Sequence, residues 1–140
     1  MISQNQKRAA YALKKVKAYL DSLKSEKEKK EFKSFVAGLP AMILQNGFGL
    51  TMAFLLSKQK NAETTKQKEA FNQIKEWVVK HSEITKHYFT DINGKNEDEY
   101  FLSNLNTLDQ FQYRTIQQEA LNLLEWIKRY AAAFVIDEGD

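Results

Sequence analysis

The chain has 140 residues, 43% of them hydrophobic and 28% charged, with a single Pro, five Gly and no Cys. That suits one all-helical domain over residues 1–140 with one hydrophobic core, and it excludes a disulfide framework or a thiolate site, as in many cytoplasmic proteins. The net charge of +3 divides unevenly, into +8 over residues 1–60 and −5 over residues 61–140, which suits a polyanion-facing end or simply well-solvated lysine-rich helices.

The opening MISQNQKRAA has no apolar signal core and reads as mature protein. Ser3-x-x-Gln6 predicts a capping box at the start of helix one. Ala9, Leu13, Val16, Leu20 and Leu23 then give an apolar stripe, with Lys7, Tyr11 and Lys14 opposite it and Arg8, Lys15 and Tyr19 on its shoulder. Ser25-x-x-Glu28 predicts a second capping box, and Phe32, Phe35, Val36 and Leu39 mark helix two. Gly38 and Pro40 predict its end, with Pro in the first turn of the next helix.

Residues 34–57 (SFVAGLPAMILQNGFGLTMAFLLS) carry no charged side chain. Ser34, Pro40, Gln45, Asn46, Gly47, Gly49 and Thr51 interrupt the run too often for a membrane span, so it reads as buried core. Helix three is expected from about Ala41 to Ser57, bent or broken at Asn46-Gly47, with a neighbouring helix packed closely on Gly47 and Gly49. Gln45 and Asn46 are expected as a polar connection inside the core, with RNA or a sister subunit as the other partner they could serve.

Asn61 is a candidate cap for helix four, whose inward face is Ala70, Phe71, Ile74, Trp77 and Val78. The 82–97 stretch is the weakest helical signal, and residues 91–96 read as a turn. A short helix is expected at 98–105, and Thr107 or Asp109 caps a last helix to about Ile136. Its core stripe is Tyr113, Ile116, Ala120, Leu123, Leu124, Ile127, Ala131 and Phe134. The expected fold is therefore all-α, a compact bundle of five to six helices with a long C-terminal one. Its shared core is expected to hold Leu13, Val16, Ile43, Leu50, Phe54, Phe71, Trp77, Leu124 and Ile127.

Catalytic signals are thin. His81 and His87 lie six apart, not at the i,i+4 spacing that puts two metal ligands on one helix face. Glu97-Asp98-Glu99 reads as a solvated acidic turn, and Gly47-x-Gly49 lacks the rest of a phosphate loop. No cofactor, metal or catalytic residue is assigned, and a small RNase is set aside for want of a constellation. Binding chemistry remains. Arg114, Gln118, Asn122, Glu125 and Arg129 share a polar face of the last helix, where Arg129 can pair with Glu125. Lys128 and Trp126 project from its two flanks; the indole either packs against a neighbouring helix or offers a base-stacking platform.

LPAMILQNGFGLTMAFLLSK, from Leu39 to Lys58, resembles the signature of the small α-helical subunit of type III-B (Cmr) CRISPR RNA-guided effector complexes. Arg8-Ala9-x-x-Ala12 is similar to that family's opening helix, and YRTIQQEALNLLEWIKRYAAAF, Tyr113 to Phe134, to its closing one. Phe48 stands where most relatives have Leu, an apolar exchange. The resemblance implies a helical bundle without catalytic activity, assembled with other Cmr subunits and copies of itself. It also implies a place beside the guide RNA–target RNA duplex, in the cytoplasm and off the membrane. It nominates Arg8, Lys58, Arg114, Lys128 and Arg129 as RNA or subunit contacts. Helix geometry adds Lys15, while Gln45 and Asn46 are assigned to structure first. The alternative is a helical adaptor that binds only proteins.

Overall fold

A computed structural model describes residues 1–61, 63–89 and 96–136. Six α-helices run in chain order: α1 (Gln4–Ser22), α2 (Glu26–Asn46), α3 (Phe48–Ser57), α4 (Lys66–Glu76), α5 (Glu97–Leu105) and α6 (Gln110–Phe134). A π-helical turn, Trp77–His81, continues α4, and a 3-10 turn covers Lys86–Tyr88. The described residues contain no strand, and none of their helices is long and apolar enough to cross a membrane.

The spine is α6, whose 25 residues span about 37 Å at the usual helical rise. Asp109 rather than Thr107 caps it, in a capping box with Gln112. Ile116, Ala120, Leu123, Leu124, Ile127 and Ala131 form the expected buried stripe, but Tyr113 is only partly buried and Phe134 is 42% exposed. Helices α1 and α2 flank this spine. Lys33 of α2 donates to the carbonyl of Val135 just past α6, and Phe48 and Gly49 at the start of α3 bond to the first half of α6.

Ser3 and Gln6 form the predicted capping box on α1. Its buried face, however, is Arg8, Ala12, Val16, Tyr19 and Leu20, and Leu13 is 39% exposed. The face is turned because two polar-tipped residues go inward. Arg8 finds a carboxylate, and the Tyr19 ring packs edge-on against Phe32 with centroids 4.8 Å apart.

The predicted end at Gly38-Pro40 is not there: α2 runs through Pro40 to Asn46. An internal proline costs roughly 3 kcal/mol. Burial of Val36, Leu39 and Ile43, each worth about 1.5–3 kcal/mol, offsets it. The chain breaks at Gly47 instead, whose φ of 86° suits a residue without Cβ. Gly47 closes α2 by donating to the Ile43 carbonyl at 2.7 Å.

Helix α3 has no side-chain cap of its own, and α6 supplies the missing acceptors. The Phe48 N–H donates to Gln117 Oε1 at 3.0 Å and the Gly49 N–H to the Tyr113 hydroxyl at 2.6 Å. This is the close approach expected at Gly47 and Gly49: a Cβ on Gly49 would lie 3.0 Å from Tyr113 Oη.

The uncharged stretch is core on one side only. Leu39, Ile43, Phe48, Met52 and Leu55 are buried, whereas Leu44 and Leu50 are 67% and 65% exposed and Phe54 38%. Leu50 and Phe54 therefore leave the predicted core along with Leu13. Gln45 and Asn46 are exposed as well, so they are not a polar connection within it. The break at Gly47 re-sets the phase of α3, which an unbroken helix from Ala41 would not have done.

Thr65, not Asn61, caps α4. Ala70, Phe71, Ile74, Trp77 and Val78 are buried as the spacing predicts. The widened turn that follows is held from outside: the Tyr11 hydroxyl donates to the Gln73 carbonyl at 2.6 Å and Thr85 to the Val78 carbonyl at 2.7 Å. Helix α5 docks through Phe101, which meets Phe48, Phe71 and Phe89 at centroid distances of 5.6 to 6.3 Å. The turn predicted at 91–96 lies outside the described residues except for Asn96, whose φ is 65°.

Candidate nucleic-acid and subunit interface

Ion pairing decides which cations remain available to a partner. On the acidic half, Asp98 lies 2.6 Å from both Lys68 and Lys75, and Glu97 lies 3.3 Å from Lys75 and 3.2 Å from Lys80. Three lysines are thus ion-paired with two carboxylates of α5. The acidic triplet is not the solvated turn expected, because two of its members bind this cluster. Burial works to raise the Asp98 carboxyl, but hydrogen bonds and charge from Lys68 and Lys75 outweigh it and hold the pKa below the ordinary value.

Arg8 is the clearest departure from the sequence-based set. It is 7% exposed, and its guanidinium grips both oxygens of Glu119 at 2.8 Å. Trp77 Nε1 donates to the same carboxylate at 2.8 Å. Burial tends to raise the Glu119 pKa, but the bonds from Arg8 and Trp77 and the arginine charge outweigh it, so the group stays ionised below the usual range. Arg8 is accordingly an internal clamp joining α1, α6 and the π turn, and little of its charge faces outward. Trp77 and Glu119 were missed as members of a polar site. Glu119 sits one residue before Ala120 on the apolar face of α6, the only signal that would have found it.

Lys15 is also engaged, 3.2 Å from Glu76 and over the Tyr11 ring. Lys128 lies 3.8 Å from Glu125, so the pair expected for Arg129 forms with its neighbour instead. Arg129 and Arg114 are exposed and form no ion pair among the described residues. Lys58, at the end of α3, is exposed over the Phe54 ring at 5.3 Å. Sequence reasoning passed over Lys14 and Lys17 on the outer face of α1, although the position of Lys14 opposite the apolar stripe marks it as outward. Both are exposed and form no ion pair among the described residues, and Lys17 lies over Phe134 at 5.2 Å.

The fold brings Arg8 and Arg129 together around Trp126, in a cleft of about 560 Å³ between α1 and α6. Lys58 lies apart, in a hollow it shares with Lys60, Glu28 and Glu31, and Lys15 borders another. His81 Nε2 is 3.4 Å from Glu76, and among the described residues no three His, Cys, Asp or Glu side chains gather as a metal site.

The described residues thus form an all-helical body that pairs Lys68, Lys75 and Lys80 with α5 and leaves Arg114, Arg129, Lys14, Lys17 and Lys58 without an ion pair. Over residues 4–134 the chain matches the family model described as CRISPR-associated protein (Cas_Cmr5), and it belongs to that family. Membership makes it a CRISPR-associated subunit of the Cmr type, associated with other Cmr subunits.

Proposed function

We propose that this chain is a non-catalytic structural subunit of a type III-B RNA-targeting effector complex, acting in antiviral defence in the cytoplasm. In this reading it is one helical domain that stacks with copies of itself and lines the channel of the guide–target RNA duplex. The observation that carries the reading is the distribution of unpaired cations. Lys14, Lys17, Lys58, Arg114 and Arg129 form no ion pair among the described residues, while Lys68, Lys75 and Lys80 are ion-paired with Asp98 and Glu97. Phosphate contacts of this kind position a strand without reading its sequence. Sequence choice then belongs to guide pairing.

The test is a complex rebuilt with Lys58→Ala and Arg114→Ala together, with target-RNA affinity measured across a salt series. Each lost phosphate contact flattens the log–log slope by about 0.7–0.9, so the double variant should flatten it by roughly 1 to 2. Folding should change by less than about 0.5 kcal/mol, as at other surface sites. An unchanged slope with intact assembly refutes RNA contact at these positions.

A second reading, an adaptor that contacts only protein, draws on Leu50 and Phe54, exposed side chains that line one apolar hollow with Met42 beside the Gly47 break. Contiguous exposed apolar surface of this kind is a feature of protein–protein contacts. An unchanged slope with intact assembly in the same double variant favours it, whereas lost assembly with intact folding makes Lys58 and Arg114 subunit contacts.

A further inference from the structure

The cleft at Trp126 combines features that backbone-following charge does not require. Along α6, Trp126, Tyr130 and Phe134 succeed one another at four-residue spacing and stack. Their centroids are 5.7 and 6.1 Å apart, with interplanar angles of 28° and 12°. Tyr130 thus supports one side of the partly buried indole. The cleft opens beside that ring, and its volume of about 560 Å³ falls within the 300–1,000 Å³ typical of small-ligand sites.

The indole is held in place rather than merely packed. Its Nε1 donates at 3.0 Å to Asn5 Oδ1, which also accepts from the Arg8 guanidinium at 3.3 Å. Arg8 is in turn fixed by Glu119. The polar tip of the ring is therefore satisfied by Asn5, and the side away from Tyr130 is the one the cleft can offer a ligand. Around it stand three kinds of polar group. Arg129 is an exposed cation without an ion pair among the described residues. Asn122 accepts from Gln118 through Oδ1 at 2.9 Å, which leaves its amide N–H groups to donate. Glu125, whose Oε1 lies 3.8 Å from Lys128, keeps its other carboxylate oxygen to accept.

From this we infer that the cleft binds one unpaired nucleotide, its base against the Trp126 indole and its phosphate on Arg129. The inference rests on the channel reading above and deepens it. A nucleobase has a π face and an edge of donors and acceptors, which the ring, Asn122 and Glu125 match. Its phosphate matches the free guanidinium. A base paired within a duplex has both faces covered by its neighbours, so only a single-stranded or extruded nucleotide can use the indole. Every base has such a face, so the site is indifferent to sequence.

The test uses the full chain and a short single-stranded oligouridylate, with a blunt RNA duplex of equal length as control. Trp77 is 2% exposed and bonded to Glu119, so a change of indole emission on binding reports Trp126. The single strand should quench emission saturably and the duplex should not. Trp126→Leu, which lacks the reporting indole and is therefore followed by the anisotropy of a dye-labelled strand, should weaken single-strand binding about 5- to 100-fold with its salt slope unchanged. Trp126→Phe should recover most of that loss, and Arg129→Gln should flatten the slope by about 0.7.

Absence of quenching up to millimolar strand at low salt overturns the inference, and this measurement needs no variant. Binding by Trp126→Leu at the wild-type level overturns it as well. If Lys58→Ala with Arg114→Ala still weakens the rebuilt complex in either case, the channel reading survives and only the stacking site fails.

Discussion

The Tyr113 hydroxyl accepts the backbone N–H of Gly49 at 2.6 Å, so a side chain on α6 serves as the cap that α3 lacks. Tyr113→Phe leaves that N–H without its acceptor and should cost about 1–3 kcal/mol in chemical denaturation. Gly49→Ala places a Cβ 3.0 Å from the same oxygen and should destabilise by displacing it. Gly47→Ala strains a backbone with φ 86° and ψ 159°, a region nearly confined to glycine, at about 1–3 kcal/mol. A stability unchanged in all three variants would mean that α3 is not fixed at this end.

The Arg8–Glu119 clamp predicts an asymmetry between single and double substitutions. Arg8→Met alone strands a buried carboxylate and should cost about 3–5 kcal/mol. Arg8→Met with Glu119→Leu removes both charges and should recover much of that loss, although Trp77 Nε1 then loses its acceptor. Additive losses in the double variant would show that the two residues do not interact.

Core and surface positions on the uncharged segment and α6 should separate by unfolding energy. Ile127→Ala, at a site 1% exposed, should cost about 2–5 kcal/mol. Leu50→Ala, at a site 65% exposed, should stay within about 0.5 kcal/mol in the isolated chain. A loss at Leu50 as large as that at Ile127 would contradict its outward placement.

Acid should unfold the protein through Glu119 and Asp98. Both carboxyls have folded pKa values below their ordinary ones. Their contribution is complete above the unfolded values of about 4 and is lost as pH falls through the folded values. Glu69 has the opposite sign: burial raises its pKa, so protonating it on acidification favours the folded state. Between about pH 5 and 2, Asp98→Asn with Glu119→Gln should therefore flatten the decline of Tm. An identical decline in this double variant would assign acid lability to other groups.

Local rules written in the sequence carried most of the fold. The Ser3 and Asp109 caps, the inward faces of α4 and α6, and the need for close packing at Gly49 follow from spacing and backbone conformation alone. Misreadings arose where a distant partner overrode a local preference. Arg8 is buried because Glu119 lies opposite it, and Pro40 stays inside α2 because the flanking residues pack. Leu50 faces outward because the break at Gly47 re-phases the helix after it. The candidate interface was legible in part. Arg114, Arg129 and Lys58 are exposed, but the availability of a cation also depends on which carboxylates fold against it. Lys128 and Lys15 each have one, which no spacing within their own helices required.

The dependence of α3 on α6 also imposes an order in time. Translation proceeds from the N-terminus at about 5–20 residues per second, and Gly49 and Phe48 precede their acceptors by 64 and 69 residues. For roughly 3 to 14 s after these residues are joined, their amides have no native acceptor. Throughout that interval residues 34–57 form a nascent segment without a single charge to keep it from sticking. The newly made chain thus carries this uncharged segment without its native cap until Tyr113 and Gln117 have been added.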